Sequence, residues 1–405
     1  MMNLTRGTNR TLTVPSSAQA GPALAALLML LFVMSPAAPA QTFSLLYQFN
    51  SGPGGINPQA GVVVDERGNL YGTTLNDGAF ASGTVFQLSP SGKHKVLYSF
   101  TGSGGDGAFP YYGSLVRDSS GNLYGTTLQG GLYSQACPLG CGTVFKVDAS
   151  GKESVLHSFT GTGGDGNFPY FGLARDSAGN LYGTTFLGGA FGFGMVFKVD
   201  PTNEETVLYS FTGSTDGGFP FAGLALDGKG NVYGTTEDGG SSFFGTVFRV
   251  SPAAQEKVLY TFTGGSDGGA PGAGLIRDSG GNLYGTTQVG GAAGFGTVFR
   301  LNSQGQKTVL YSFTGGTDGS GPSFGSLVRD SAGNLYGVTP AGGDSDFGVV
   351  FKIDPSGTET VLHSFSGSDG KIPYGTLALD KSGNLYGTTY EGGVDGGGVV
   401  FKITR

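Results

Sequence analysis

The chain has 405 residues, with 22 lysines and arginines against 29 acids, and a formal charge of −7. That balance, with no basic run, excludes a nucleic-acid partner held through its phosphates. Its 79 glycines and 18 prolines recur at fixed places between segments rich in Val, Leu, Phe, Tyr and Thr, which marks turns rather than disorder.

In chain order, Arg6 and Arg10, the apolar run Ala23 to Met34 and the small-residue site Ala38-Pro39-Ala40 read as a secretory signal over residues 1–40. The apolar run is shorter than the ~20 residues a comfortable membrane span needs, with an uncleaved anchor as the alternative. Cleavage removes two arginines and takes the formal charge to −9. No later stretch is long and apolar enough to cross a membrane. A secreted, periplasmic or cell-surface monomer is expected.

Asn-Leu-Tyr-Gly, or Asn-Val-Tyr-Gly, then starts at Asn69, Asn122, Asn180, Asn231, Asn282, Asn334 and Asn384, at steps of 50 to 58 residues. A unit this short cannot bury a core alone and must stack on its neighbours. In the fourth copy, Gly223 to Asp227, Asn231 to Thr236, Gly245 to Val250 and Lys257 to Phe262 are runs of β-formers between turn residues. Four antiparallel strands taken seven times give an all-β fold, a seven-bladed β-propeller over residues 41–405. The fourth-strand pattern Val-Leu-Tyr-Ser-Phe appears first as Leu45-Leu-Tyr-Gln-Phe49, while the last copy stops at its third strand, Gly398 to Ile403. The N-terminal strand is therefore expected to close the last blade from outside, protecting an edge.

Cys137 and Cys141 stand four apart in the one enlarged loop. In an exported chain they predict a local disulfide. Two sulfurs without a neighbouring His or third Cys make a poor zinc site.

The ordered pattern Asp-x-x-Gly-Asn-Leu-Tyr-Gly-Thr-Thr, Gly-Gly, Gly-Thr-Val-Phe-Lys, Val-Leu-Tyr-Ser-Phe resembles the GloVer (Gloeo_Verruco) tandem repeat of the choice-of-anchor proteins, over residues 43–405. The resemblance implies an exported bacterial repeat protein, often held at the surface by a C-terminal sorting signal. The end Phe401-Lys-Ile-Thr-Arg405 shows no such segment, so free secretion or periplasmic residence is expected. A looser likeness to NHL-type, streptogramin-lyase-type and kelch propellers bears on fold alone.

Two loop sets are expected on one face. The fourth-to-first-strand loops repeat Thr-Gly-x-x-Asp-Gly-x-x-Pro and place Asp106, Asp165, Asp216, Asp267, Asp318 and Asp369 in a ring; blade one breaks it with Gly54-Gly55-Ile56. Asp-Gly is a turn pair, and the alternative is a ring holding a cation such as Ca2+, although each loop offers only one acid. The second-to-third-strand loops vary more, and variation on a fixed scaffold is where binding resides. Their candidates are Asp77, Tyr133, Phe191, Glu237, Asp238, Phe243, Asp344, Asp346, Tyr390 and Glu391. Phe193, Phe244, Phe295 and Phe347 each precede the glycine opening a third strand and are expected to pack between blades.

Arg117, Arg175, Arg277 and Arg329 precede the aspartates ending four first strands and predict Arg–Asp pairs at the opposite channel mouth. The seven repeat tyrosines predict core. His94, His157 and His363 join no recognisable nucleophile or acid–base set. The expectation is an exported, non-catalytic binding module of unknown ligand, with no cofactor beyond a possible Ca2+. The candidate partners are a glycan, a peptide or an envelope protein. A polysaccharide hydrolase or lyase using loop carboxylates and a structural envelope component are the alternatives.

Overall fold

Residues 41–405 are described by a computed structural model; the expected signal, residues 1–40, lies outside them. Seven four-stranded antiparallel sheets form the blades of a β-propeller. Blade one is β2 (Val63–Val64), β3 (Leu70–Thr74), β4 (Thr84–Leu88) and β5 (His94–Ser99), in that order from the axis outward. Among the described residues no helix is long and apolar enough to cross a membrane.

Each letter of the repeat signature has a task, seen clearly in blade four. Asp227 Oδ1 accepts hydrogen bonds from the backbone N–H of Lys229 and Asn231, both at 2.9 Å. Its Oδ2 accepts from Asn231 Nδ2 at 2.8 Å and from the Tyr233 hydroxyl at 3.0 Å. One carboxylate thus pins the hairpin, the asparagine and the tyrosine, and the pattern recurs in all seven blades. Val232, the leucine position, is buried. A Cβ on Gly234 would lie 2.6 Å from the Phe248 ring and 2.8 Å from Leu224. The glycine serves close packing, not a special backbone angle.

The core lies between blades. Tyr182, Val196 and Phe211 of blade three, for example, form one cluster with Val232, Phe248 and Val250 of blade four. A repeat alone would leave these side chains in water, which is why the fold must be a stack.

Two features depart from the strand expectations. The first strand of blade four is only Ala225–Leu226, not the five residues from Gly223. Near the axis the chains crowd: a Cβ at Gly274 would lie 3.0 Å from the Gly223 carbonyl oxygen, so regular pairing starts further out. The outermost strand of every blade also carries a bulge, which in blade four leaves Leu259 unpaired between Tyr260 and Val258. A bulge shifts the alternation of faces, so the consecutive apolar residues of Val-Leu-Tyr need not share one face.

β1 (Thr42–Gln48) pairs antiparallel with the third strand of blade seven, Val399–Thr404, in the register Phe43 to Ile403 and Gln48 to Val399. The N-terminal strand closes the ring, as its sequence required. At the other end Arg405 reaches Asp330 of blade six at 3.2 Å and lies 4.5 Å over the Tyr336 ring.

The expected Arg–Asp pairs do not form. Each aspartate is occupied by its own hairpin, and Arg117, Arg175, Arg277 and Arg329 lie over the repeat tyrosines of the preceding blades at 5.5, 5.6, 5.7 and 5.7 Å. Adjacent strand residues point to opposite faces, so an arginine beside an aspartate cannot easily share its surroundings. The guanidinium finds a π-face instead.

Candidate functional site

Every crossing between blades uses the same latch. The residue before the loop proline has left-handed φ, from 50° at Ala270 to 61° at Asn57, a costly choice for a side-chain-bearing residue. Its N–H donates to a carbonyl of the preceding blade, for example Phe168 to Cys141 at 2.9 Å and Phe219 to Phe193 at 2.8 Å. Phe193, Phe244, Phe295 and Phe347 cover Gly213, Gly264, Gly315 and Gly367 of the following loop. In blade two Cys141 takes that slot: Cys137 and Cys141 form a buried disulfide that covers Gly161.

After the latch and the proline the chain dives toward the axis, and here the copies differ. Blades two, three, four, six and seven supply Tyr111-Tyr112, Tyr170-Phe171, Phe221, Phe324 and Tyr374. These rings meet across the channel. Tyr112 stacks on Phe324 at 4.4 Å and touches Phe171, Phe221 and Tyr374 at 5.6, 5.9 and 5.6 Å. Tyr111 packs edge-on to Tyr112 and Tyr170, and Tyr390 adjoins Tyr374. Beneath this aromatic floor a cavity of about 170 Å³ remains, lined by Tyr112, Phe171 and the residues that lead into the innermost strands, such as Leu115, Leu173, Leu224 and Leu275. The channel is capped on its loop face.

The cap ends in hydroxyls. Burial first, then neighbouring phenols, raises the Tyr112, Tyr170 and Tyr374 pKa values; burial, Glu391 and Tyr111 do so for Tyr390. The mouth therefore presents neutral phenols at physiological pH, each able to donate and accept. Lys371 and Glu391, 2.9 Å apart, form an ion pair beside it.

The predicted loop residues fall into two groups. Tyr390 and Glu237 follow the paired threonines in their blades and occupy the same mouth position, each donating its N–H to the latch residue, Ile372 or Phe219. Asp238 and Glu391 sit one residue on. Glu237 is half-buried, and burial with Asp238 nearby raises its carboxyl pKa. Tyr133, Phe191 and Phe243 stand at the loop tips, 54%, 58% and 72% exposed. Asp346 shapes its own loop, accepting from the Gly342 N–H, whereas Asp77 ties its loop to the crossing after β1, accepting from the Gly52 N–H, and exposed Asp344 donates its N–H to Ser364 Oγ. Phe80, Leu132, Leu139 and Val394 extend the exposed apolar rim on the same loop set.

The six repeated aspartates do not form a shared site. Asp106 accepts from Tyr98 and Thr101, Asp216 from Tyr209 and Thr212, Asp267 from Tyr260 and Thr263, and Asp318 from Tyr311 and Thr314. Asp165 accepts from Thr160, and Asp369 from Ser366 while bonding His363. Each is thus anchored to the outermost strand of the preceding blade, away from the axis. Sequence reasoning missed Tyr111, Tyr112, Tyr170, Phe171, Phe221, Phe324 and Tyr374. Their signal was the variation after each loop proline, from Gln59 in blade one to Tyr374 in blade seven.

Residues 30–248 and 220–405 match the Gloeobacter/Verrucomicrobia repeat. No curated protein matches the chain. Among solved structures it is similar to the extracellular domain of a candidate one-component system from B. thetaiotaomicron, at 12% identity and TM-score 0.56, over 88% of this chain. The chain spans 39% of that one. It also resembles a gluconolactonase from Xanthomonas campestris, at 14% identity and TM-score 0.46, over 90% of this chain and 89% of the other. At these identities the likeness concerns fold alone.

Proposed function

The chain belongs to the Gloeobacter/Verrucomicrobia repeat family, and from its loop face we propose an exported, non-catalytic binding module that takes an extracellular saccharide at the channel mouth. The observation that carries this reading is the aromatic cap with its convergent neutral phenols. Ring faces stack on the C–H faces of a sugar, and the hydroxyls of Tyr111, Tyr170, Tyr374 and Tyr390 match its donors and acceptors. The exposed Tyr133, Phe191 and Phe243 rim adds contact area for a longer ligand. The signal expected over residues 1–40 and the disulfide accord with work outside the cytoplasm.

A glycan and peptide array, probed with the purified protein, tests the proposal. Glycan binding is expected, weakened at least about tenfold by Tyr374→Ala, which corresponds to roughly 1.4 kcal/mol. A protein that bound peptides alone, or glycans undiminished by Tyr374→Ala and Tyr111→Ala, would count against this site.

A further inference from the structure

Between neighbouring blades lies a groove built from three parts: the aromatic position of one outermost strand, the loop aspartate, and the first residue of the next outermost strand. The sevenfold repeat lets these grooves be compared within one molecule. In three of them the parts are a tyrosine, an aspartate and a glutamate: Tyr98, Asp106 and Glu153; Tyr209, Asp216 and Glu256; Tyr311, Asp318 and Glu359. There the tyrosine hydroxyl closes on the aspartate at 2.8, 2.9 and 2.9 Å. Between blades four and five the glutamate is replaced by Lys307, whose amino group donates to the Asp267 carbonyl oxygen.

Two grooves carry histidine in place of tyrosine, and they differ. Between blades six and seven His363 Nε2 meets Asp369 Oδ2 at 2.9 Å, and the place of the glutamate is taken in register by Phe43, the second residue of β1, stacked on the imidazole at 3.6 Å. Between blades two and three the third part is Glu205. Here the imidazole stands off: His157 Nε2 is 3.6 Å from Asp165 Oδ1, beyond hydrogen-bond length. His157 Nε2 and Glu205 Oε1 are each buried without a hydrogen-bond partner; Oε1 of Glu153, Glu256 and Glu359 is equally unpartnered, so the orphaned imidazole nitrogen is what sets this groove apart. Ligand atoms of His157, Asp165 and Glu205 all lie within 4.8 Å of one another, the one such meeting of three among the described residues.

We propose that His157, Asp165 and Glu205 bind a divalent transition-metal ion of the Zn2+ class. Zinc bonds of about 2.0–2.2 Å place tetrahedral ligand atoms roughly 3.4 Å apart. The His157–Asp165 separation already fits, and the widest pair closes by about 1.4 Å. One nitrogen with two carboxylates suits zinc or manganese; the imidazole disfavours calcium, which takes oxygen ligands. Asp165 is already oriented: its Oδ2 accepts from the Thr160 N–H at 2.7 Å and its Oδ1 from the Gly166 N–H at 2.7 Å. The Cys137–Cys141 disulfide packs on Gly161 of the same loop and steadies it. The two unpartnered polar atoms, costly when buried alone, acquire a shared partner.

The other grooves supply substitutions that preserve the fold. His157→Tyr restores the tyrosine–aspartate bond seen in four grooves, and Glu205→Lys copies the groove of Lys307. The protein is stripped with chelator and titrated calorimetrically with ZnCl2 at pH 7.5; Co2+ is added separately to follow its visible absorption. One zinc per chain is expected, with affinity lowered at least about 100-fold in each variant while both melt as the parent does. His363→Tyr should leave binding unchanged. Absence of zinc binding and of a cobalt spectrum would overturn the assignment. So would zinc binding that survives both substitutions, or equal competition by Ca2+.

Discussion

Glu256 stands between blades three and four with its carboxyl pKa raised to about 7, first by burial and then by the Asp216 carboxylate. Glu153 and Glu359 are raised to about 7 for the same reasons, by burial and by Asp106 and Asp318. Lys307, in the equivalent place, is moved the other way, to about 8, by burial. A carboxyl whose folded pKa lies above its unfolded value holds its proton more tightly when folded. Its favourable contribution is present below pH ~4.5 and is lost as pH rises toward 7. The hairpin aspartates act in the opposite sense: Asp330, held near 2 although burial opposes it, by hydrogen bonds from Asn334 and Tyr336 and by Arg405, loses its contribution only as pH falls through that value. Stability should therefore peak in mildly acidic solution. Glu256→Gln removes one ionisation without changing shape. Its thermal midpoint should equal the parent's at about pH 3.5, below the unfolded pKa, and exceed it by about 2 °C at pH 8, and a gain equal at both pH values would refute the linkage.

At the scale of the hairpin, one carboxylate does work that no neighbour can take over. Asp227→Ala strips four hydrogen bonds from a single turn, and bonds to charged groups contribute about 1.5–3 kcal/mol each where the partners cannot find water. Because these partners are half-buried, a loss of roughly 2–4 kcal/mol in urea unfolding is expected. Asp200→Ala, at an exposed turn where the carboxylate bonds only residues 202 and 204, should cost far less, since water replaces those bonds. Similar losses in the two variants would show that the signature aspartate is ordinary. The same hairpins show what the sequence could tell. Strand runs, turn residues and the closure by β1 were legible because period and copy number repeat seven times. The shortening before Ala225 was not, since it comes from neighbours brought close only by the ring, and nothing in Val-Leu-Tyr itself marks the bulge at Leu259. The aromatic cap escaped for a related reason: Tyr112 and Phe324 lie 212 positions apart, and nothing local in either segment announces that they stack.

At the scale of the whole molecule the ring has one seam. Everywhere else a blade is made from continuous chain, but blade seven borrows β1, so its integrity depends on the two ends of the chain meeting. Phe49 N–H donates to Gly398 and Asn57 N–H to Gly397, at 2.9 and 2.8 Å, which adds the seventh latch across that seam. Phe43 stacks on His363 and packs against Phe401, binding the seam to blade six as well. Each blade ends in an outermost edge strand, and in blade seven that strand is β1, so a ring lacking it exposes the third strand of blade seven along its length. Deleting residues 43–50 should therefore lower the thermal midpoint by more than about 10 °C and promote concentration-dependent association through the bared strand. A synthetic peptide of residues 41–50, added in excess, should restore much of the loss by occupying that edge, because ligands of the folded state stabilise it in proportion to their free concentration. A midpoint unmoved by the deletion would mean that the latches and inter-blade cores hold the ring without its closing strand. Recovery with a scrambled peptide would show that the rescue owes nothing to the register of Phe43 on Ile403.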